Sequence, residues 1–280
     1  MLILSFILVL GSGLRLYKLG SNSLWCDEAV FIRFRLESGT LLENIRFIWD
    51  KFCKEGIGVG VRHYGYGLFT TFWSSLFQGE FMLRLSSVIF GVISIVLIYK
   101  TGELLFGKRT GLIAALMLAI SPFHIYYSQE FRVYTLVSLL TLISVYCLRR
   151  FQLNGKYKFL LGYVMSHTLS FYMNISTILI LFAQIIFFVL YLRKYRSIFK
   201  KWILANLMIL FFISPAIILI TMDLIRSGGI SGVNSSLVTP FFEFGFEKWI
   251  PAYTLMNFSA GYNSSILVGS FTLLLFLGLF

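Results

Sequence analysis

Charge is scarce in this chain. Asp, Glu, Lys and Arg supply only 13% of its 280 residues, about half of what a soluble domain carries. So few ionic groups cannot clothe a water-facing surface. The hydrophobic fraction of 58%, with thirty phenylalanines, exceeds what a soluble core of this size can bury. The surplus must face lipid, which leaves an integral membrane protein read as one domain over 1–280. Cysteine is nearly missing too: Cys26, Cys53 and Cys147 show neither a CxxC pair nor Cys/His metal spacing, which argues against a zinc ribbon or a thiol redox motif. Acids are almost absent from the centres of the apolar runs, which speaks against an ion-coupled transporter. Internal repeats and low-complexity tracts are also lacking.

What is present is a series of runs long enough to cross a bilayer, which takes about 17–25 residues. They lie near 1–19, 82–105, 110–127, 131–150, 158–174, 175–193, 200–222 and 264–280. Gly11-Ser12-Gly13 offers small residues to a signal peptidase. Met1 is followed at once by Leu2, however, without a basic leader, so the first run is expected to be an uncleaved span. The last run stops at Phe280 with no basic flank, and the chain is expected to be a C-terminally truncated form of a longer protein. The net charge of +12 sits in short clusters between runs. No basic face interleaved with aromatics accompanies it, which argues against nucleic acid as a partner.

Those clusters set the expected orientation. Lys108-Arg109, then Arg149, Arg150, Lys156 and Lys158, then Arg193 to Lys201 alternate with connections almost free of Lys and Arg. The positive-inside rule puts the basic connections in the cytoplasm. The segments 20–80 and 223–263 then become external loops. Within the first, Thr40-Leu41-Leu42-Glu43 has the form of a capping box ahead of an amphipathic helix. Tyr66–Phe77 carries aromatics on one helical face, with Thr70, Thr71, Ser74 and Ser75 opposite. Counting it as a span would put Lys108 outside, so both segments are expected as juxtamembrane helices at the outer interface.

Seven of the twelve acids lie in that first loop, so the chemistry is sought there. Asp27 and Glu28 form an adjacent pair just beyond the first run, able to serve as general base and second carboxylate. They are equally able to cap a short helix and favour its dipole. The turn from Ser121 to Tyr134 is polar and aromatic, with His124, Glu130, Arg132 and Tyr134. Arg132 could hold a phosphate with its fork of donors, or merely snorkel among interfacial tyrosines. His63 is a ligand candidate or a surface histidine. Glu28, Glu130, His63 and His124 are the options for a divalent metal. No ligand spacing demands one, and no other cofactor is expected.

Several of these stretches together resemble a known family. Arg15-Leu16-Tyr17-Lys18-Leu19 and Ser23-Leu24-Trp25-Cys26-Asp27-Glu28-Ala29 are similar to the opening of the polytopic GT-C glycosyltransferases of the family 39 type, which include the protein O-mannosyltransferases and the aminoarabinose transferase of lipid A. Leu83-Arg84-Leu85-Ser86-Ser87, Gly107-Lys108-Arg109-Thr110-Gly111 and the Ser121–Tyr134 turn follow in the family's order. The chain departs from the family at His63-Tyr64-Gly65-Tyr66-Gly67-Leu68, where the usual form is His-Pro-Pro-Leu-Tyr-Tyr.

The resemblance implies an all-α, multi-span GT-C-type bundle with external juxtamembrane helices. It also implies a polyprenyl-phosphate sugar as donor and a lipid, glycan or protein acceptor at the extracytoplasmic face. Asp27 would be the acid/base residue with Glu28 beside it, and Arg132 and Tyr134 would lie near the lipid phosphate, with Glu130 and His63 as further binding candidates. Inverting single displacement is the expected mechanism. A lipid or polysaccharide transporter would instead need a polar path through the spans. A non-enzymatic assembly factor would leave Asp27 and Arg132 dispensable.

Overall fold

The structure, a computed structural model, describes residues 2–21, 23–24, 28–29, 43, 46, 64–190 and 195–226. Regular structure among them is entirely helical. The helices are α1 Leu2–Leu16, α2 Tyr64–Leu76, α3 Glu80–Phe106, α4 Lys108–Ile120, α5 Pro122–Ser128, α6 Tyr134–Asn154, α7 Tyr157–Met173, α8 Ile178–Leu190 and α9 Phe199–Arg226. Of the expected amphipathic helix after Thr40, only Glu43 and Arg46 are described, both helical. The run at 264–280 and the loop 223–263 beyond Arg226 lie outside the described residues.

Helix α3, α6 and the Phe199–Ile218 part of α9 are long and apolar enough to cross a bilayer. The expected continuous run at 110–127 is two helices, α4 and α5, bent by 59°. The cause is local. Pro122 has no amide to donate, and Ser121 turns extended and accepts from the His124 amide as an N-cap. Proline acts differently in α9, where Pro215 sits inside the helix. There the Ser214 hydroxyl donates to Phe211 O (2.8 Å), the carbonyl four residues before the proline, and the helix continues.

Large side chains such as Leu2, Phe6, Leu179 and Phe211 are exposed around the outside, as lipid-facing positions must be. Two apolar cores hold the bundle. Ile7, Ile95, Ala115 and Ala119 join α1, α3 and α4. Phe151, Tyr163, Phe188 and Trp202 join α6 to α9, and Phe188 stacks on Trp202 at 4.0 Å. Helices α3 and α4 approach so closely that a Cβ on Gly111 would lie 2.6 Å from Tyr99 O. Gly107, at φ +95°, makes the tight turn between them.

Helix α2 reverses a simple reading of its amphipathic pattern. Thr70, Thr71 and Ser74 are buried, while Phe72, Leu76 and Phe77 are exposed. Each inward hydroxyl is satisfied by a carbonyl of its own helix, Thr70 and Thr71 both donating to Gly67 O at 2.9 Å. Self-satisfied small residues allow close packing on the bundle; of the rings, Phe72 turns outward while Tyr66 is buried with them. Gly65 rests against the Tyr172 backbone of α7, where a Cβ would meet Tyr172 O at 2.8 Å.

The chain reverses at each short connection, so the bundle has two unlike ends. One carries the C-terminus of α1, the N-termini of α3 and α6, and helix α5. Lys108, Arg109, Arg149, Arg150, Lys156 and Lys200 gather at the other. There Arg149 Nη1 donates to Tyr195 OH (2.8 Å) and Lys201 lies 4.6 Å over the Tyr157 ring.

Candidate functional site

The turn between α5 and α6, residues 129–133, is pinned from three sides. Gln129 Nε2 donates to Tyr17 O (2.8 Å), Leu14 O (3.2 Å) and Arg15 O (3.3 Å), carbonyls that the end of α1 leaves without helical donors. The Phe131 amide donates to Glu28 Oε1 (2.7 Å), and the Phe131 ring is fully buried. Ser128, just before the turn, accepts from Arg15 Nε (3.2 Å).

Two buried arginines carry this scaffold. Arg84, in the first turns of α3, grips Glu28 with Nε on Oε1 (2.9 Å) and Nη2 on Oε2 (2.7 Å), a bidentate pair. Its other donors go to Leu19 O (3.1 Å) and Ser23 O (3.2 Å). Glu28 thereby ties α3, the segment after α1 and the 129–133 turn together. Both of its oxygens are engaged, which fits a carboxylate that positions a loop rather than one that moves a proton.

Arg15 is also fully buried, without a carboxylate partner among the described residues. It gives Nη1 to Gly11 O (2.8 Å) and Ala119 O (2.9 Å), and Nη2 to Leu118 O (3.0 Å) and His124 Nδ1 (3.0 Å). Leu118 O is the carbonyl that Pro122 deprives of its helical donor, so Arg15 completes the broken helix. A Cβ on Gly91 would come within 3.1 Å of Arg15 Nε, so the glycine keeps open the space this side chain occupies.

Against that frame, Lys18 and Tyr126 are exposed, Arg132 is half-buried, and Glu130 is buried beside Arg132. Arg132 Nη1 lies 3.6 Å from Glu130 Oε2, and Nη2 donates to Tyr134 OH (3.1 Å). Its guanidinium also covers the Tyr134 ring at 4.8 Å. Tyr134 packs on Tyr127 (4.5 Å) and Tyr127 on Phe123 (4.7 Å), forming an aromatic collar beside the cation. Burial holds the Glu130 carboxyl above the ordinary carboxylate value, with the Tyr126 hydroxyl and Arg132 pulling it back. A cleft of about 350 Å³ opens here, lined by Lys18, Ser23, Arg84, Tyr126, Gln129 and Glu130. Lys18 itself holds a left-handed turn (φ 53°), a conformation that disfavours a residue with a Cβ and recurs at functional sites.

Of the residues expected from sequence, Glu28, Glu130, Arg132, Tyr134 and His124 therefore share this end of the bundle, whereas Asp27 and His63 lie outside the described residues. The described residues fit a metal poorly. His124 Nδ1 and Glu28 each face a guanidinium, and no three His, Cys, Asp or Glu cluster among the described residues. Sequence reasoning missed the structural use of Arg15 and Arg84, and also a buried polar chain in the middle of the bundle. There Gln184 Nε2 donates to Ser144 Oγ (3.0 Å) and its Oε1 meets His167 Nε2 (3.0 Å). The signal was available, since Gln184 is the one amide in an otherwise apolar α8.

No curated protein and no solved structure matches the chain. One family model does, described as dolichyl-phosphate-mannose-protein mannosyltransferase, over residues 65–219, from α2 into α9. The motifs at 15–19 and 23–29 precede that stretch. Since 155 of the 280 residues are matched, the chain belongs to this family and is a membrane glycosyltransferase of the GT-C type.

Proposed function

We propose that this protein moves a sugar from a polyprenyl-phosphate donor to an acceptor hydroxyl or amine, at the membrane face that carries the 129–133 turn. The observation that carries the reading is the pairing of Arg132 with Glu130 and an aromatic collar on a turn whose other residues are pinned. An arginine reaching solvent beside packed rings suits a phosphate whose isoprenoid tail remains in lipid. That face is extracytoplasmic, because the basic connections lie at the opposite end and mark the cytoplasm.

In the reaction the acceptor oxygen or nitrogen attacks the anomeric carbon as the bond from that carbon to the phosphate oxygen breaks. The proton of the acceptor passes to the Asp27 carboxylate. The negative charge gathered by the departing polyprenyl phosphate falls on Arg132, with Tyr134 holding the guanidinium in place. A single displacement inverts the anomeric configuration. Glu28 serves as a positioning residue, since Arg84 and the Phe131 amide fix the segment next to Asp27. Glu130 and Lys18 line the cleft in which the sugar or acceptor would lie, and His63 is a further binding candidate. Given the poor fit for a metal, no step is routed through one, and the acceptor is a lipid, glycan or protein presented at that face.

The test is transfer from a panel of radiolabelled polyprenyl-phosphate sugars by the purified chain. Asp27→Asn should retain wild-type melting and donor binding and lose about 10²–10⁴ in rate, as expected for a removed general base. Arg132→Ala should lower turnover more than stability, with Arg132→Lys restoring only part, since lysine has the charge without the fork. Transfer by Asp27→Asn within about twofold of wild type would leave that residue the helix-cap role instead.

A further inference from the structure

At the basic end of the bundle, away from the catalytic turn, a groove of about 800 Å³ opens between α6 and α8. Its walls are apolar over most of their length, formed by Val145 and Leu148 of α6, Leu179, Ala183 and Phe187 of α8, and Phe106 at the end of α3. From Leu179 to Phe187 it follows α8 for roughly 12 Å at 1.5 Å per residue. Leu179, Phe187 and Phe106 are well exposed, so the groove opens sideways to the hydrocarbon.

Its lower end is different. Arg149, Gln152 and Tyr195 close it. Arg149 spends Nη1 on Tyr195 OH (2.8 Å) and Gln152 Oε1 (3.4 Å) and meets no carboxylate among the described residues. Arg149 Nε and Gln152 Nε2 are buried N–H donors without an acceptor among the described residues, and an unmet buried donor calls for an explanation. Nearby are Arg150, held on Tyr146 (3.0 Å), and the exposed cations of the neighbouring connections.

An apolar channel ending in unmet donors and a surplus of positive charge is complementary to an anionic amphiphile. We propose that this groove binds an anionic glycerophospholipid, one acyl chain lying between α6 and α8 and the phosphodiester meeting Arg149 and Gln152 at the closed end. Basic pockets between membrane helices are suited to such headgroups. This site is distinct from the donor site and does not depend on which sugar is transferred.

Native mass spectrometry of the purified chain in detergent decides it, with phosphatidylglycerol and phosphatidylcholine of identical chains as probes. Wild type should retain phosphatidylglycerol in preference to phosphatidylcholine. Arg149→Gln should weaken that retention about fivefold, the effect of one basic residue near an anionic lipid. Lys108→Gln, which removes an exposed charge outside the groove, should change it much less. Ala183→Trp, at an exposed groove position, should exclude both lipids by filling the channel. Each variant is first checked for wild-type helicity and melting. Equal losses in Arg149→Gln and Lys108→Gln would reduce the binding to diffuse electrostatics and overturn the site. Unchanged retention in Ala183→Trp would overturn it equally, as would binding of chain-free glycerol phosphate as tight as that of the lipid.

Discussion

Arg15 and Arg84, at one end of the bundle, are 0% and 5% exposed and have their guanidinium donors directed at carbonyls, a histidine or a carboxylate. Arg149, Arg150 and Lys108, at the other end, are half-buried or exposed, and Arg149 and Arg150 pair with neutral tyrosine hydroxyls. The same residue types thus serve two physical ends. A charge withdrawn from water must be offset at close range by oriented acceptors, and this fixes the chain segments that supply them. A charge left at the boundary fixes nothing in the fold and remains available to lipid. The 129–133 turn is held by the first kind of cation, while the second kind gathers at the opposite end of the bundle.

The Arg84–Glu28 pair gives the sharpest way to break that comparison. Arg84→Ala strands a fully buried carboxylate, and removing one partner of a buried pair typically costs about 3–5 kcal/mol. Denaturant or thermal unfolding of the purified protein should show that loss. Replacing both partners, as Arg84→Met with Glu28→Leu, should recover much of the stability while leaving the 129–133 turn without its anchor. Transfer should therefore stay low in the double variant. A single-variant cost under about 1 kcal/mol would put Arg84 with the boundary cations.

Arg15 comes next in size. Arg15→Ala leaves Leu118 O and Ala119 O short of a donor, and unmet buried groups cost about 1–3 kcal/mol each. Partial repair by water and local rearrangement should hold the measured total to about 2–3 kcal/mol. Arg15→Lys should return only part, since one ammonium cannot reach acceptors spread over three helices. Full stability in Arg15→Ala would mean that the bend at Ser121 and Pro122 needs no outside donor.

The positions of these residues explain what was legible in the sequence. Apolar run lengths and the scarcity of charge are local properties, and they foretold an all-helical membrane bundle. The Ser121–Tyr134 turn stood out because polar and aromatic residues interrupted two apolar runs. The partners of Arg15 and Arg84 did not stand out, being 103 to 113 and 56 to 65 residues away. One clue existed for Arg15: a Ser-Pro break orphans a carbonyl, and some donor has to meet it. In α2 the amphipathic pattern was visible but its direction was not. In lipid the small hydroxyl residues Thr70, Thr71 and Ser74 pack inward while Phe72 and Leu76 turn outward, opposite to the habit of water-soluble helices.

Glu130 tests a third case, a buried carboxyl whose cation, Arg132, is only half-buried. Burial raises its folded pKa above the carboxylate reference of 4.5. Between the unfolded value and that raised folded value, the folded state holds the proton more tightly, so stability falls as pH rises through the window. Below it, both states are protonated and the penalty vanishes. Glu130→Gln removes the titration. The melting-temperature advantage of the variant should therefore appear as pH climbs past about 4.5 and level off once Glu130 is ionised. An advantage that instead grew on acidification would mean that Arg132 outweighs burial and depresses the pKa.

The smallest effect is expected at Lys108, and its sign is informative. Lys108 and Arg109 occupy the first turn of α4, which has no acid, so both cations face the positive end of that helix's dipole. At the other end of the bundle α3 begins with Glu80, the favourable sign. Helix energetics alone would thus disfavour Lys108, by about 0.3–1 kcal/mol for a charge near a terminus. Lys108→Gln should leave unfolding in detergent unchanged or slightly more favourable to the folded state. In a membrane the outcome should reverse under the proposed orientation, in which the cation helps hold the 107–109 connection in the cytoplasm. Impermeant-maleimide labelling of single cysteines, at Lys18 for the site end and at Lys156 for the basic end, reads this directly. The Lys18 cysteine should label from outside in the parent chain, and a minority of misoriented molecules should appear when Lys108 and Arg109 are both neutralised. A loss of detergent stability in Lys108→Gln, with labelling unaltered, would make the basic end part of the fold's own structure and erase the contrast between the two ends.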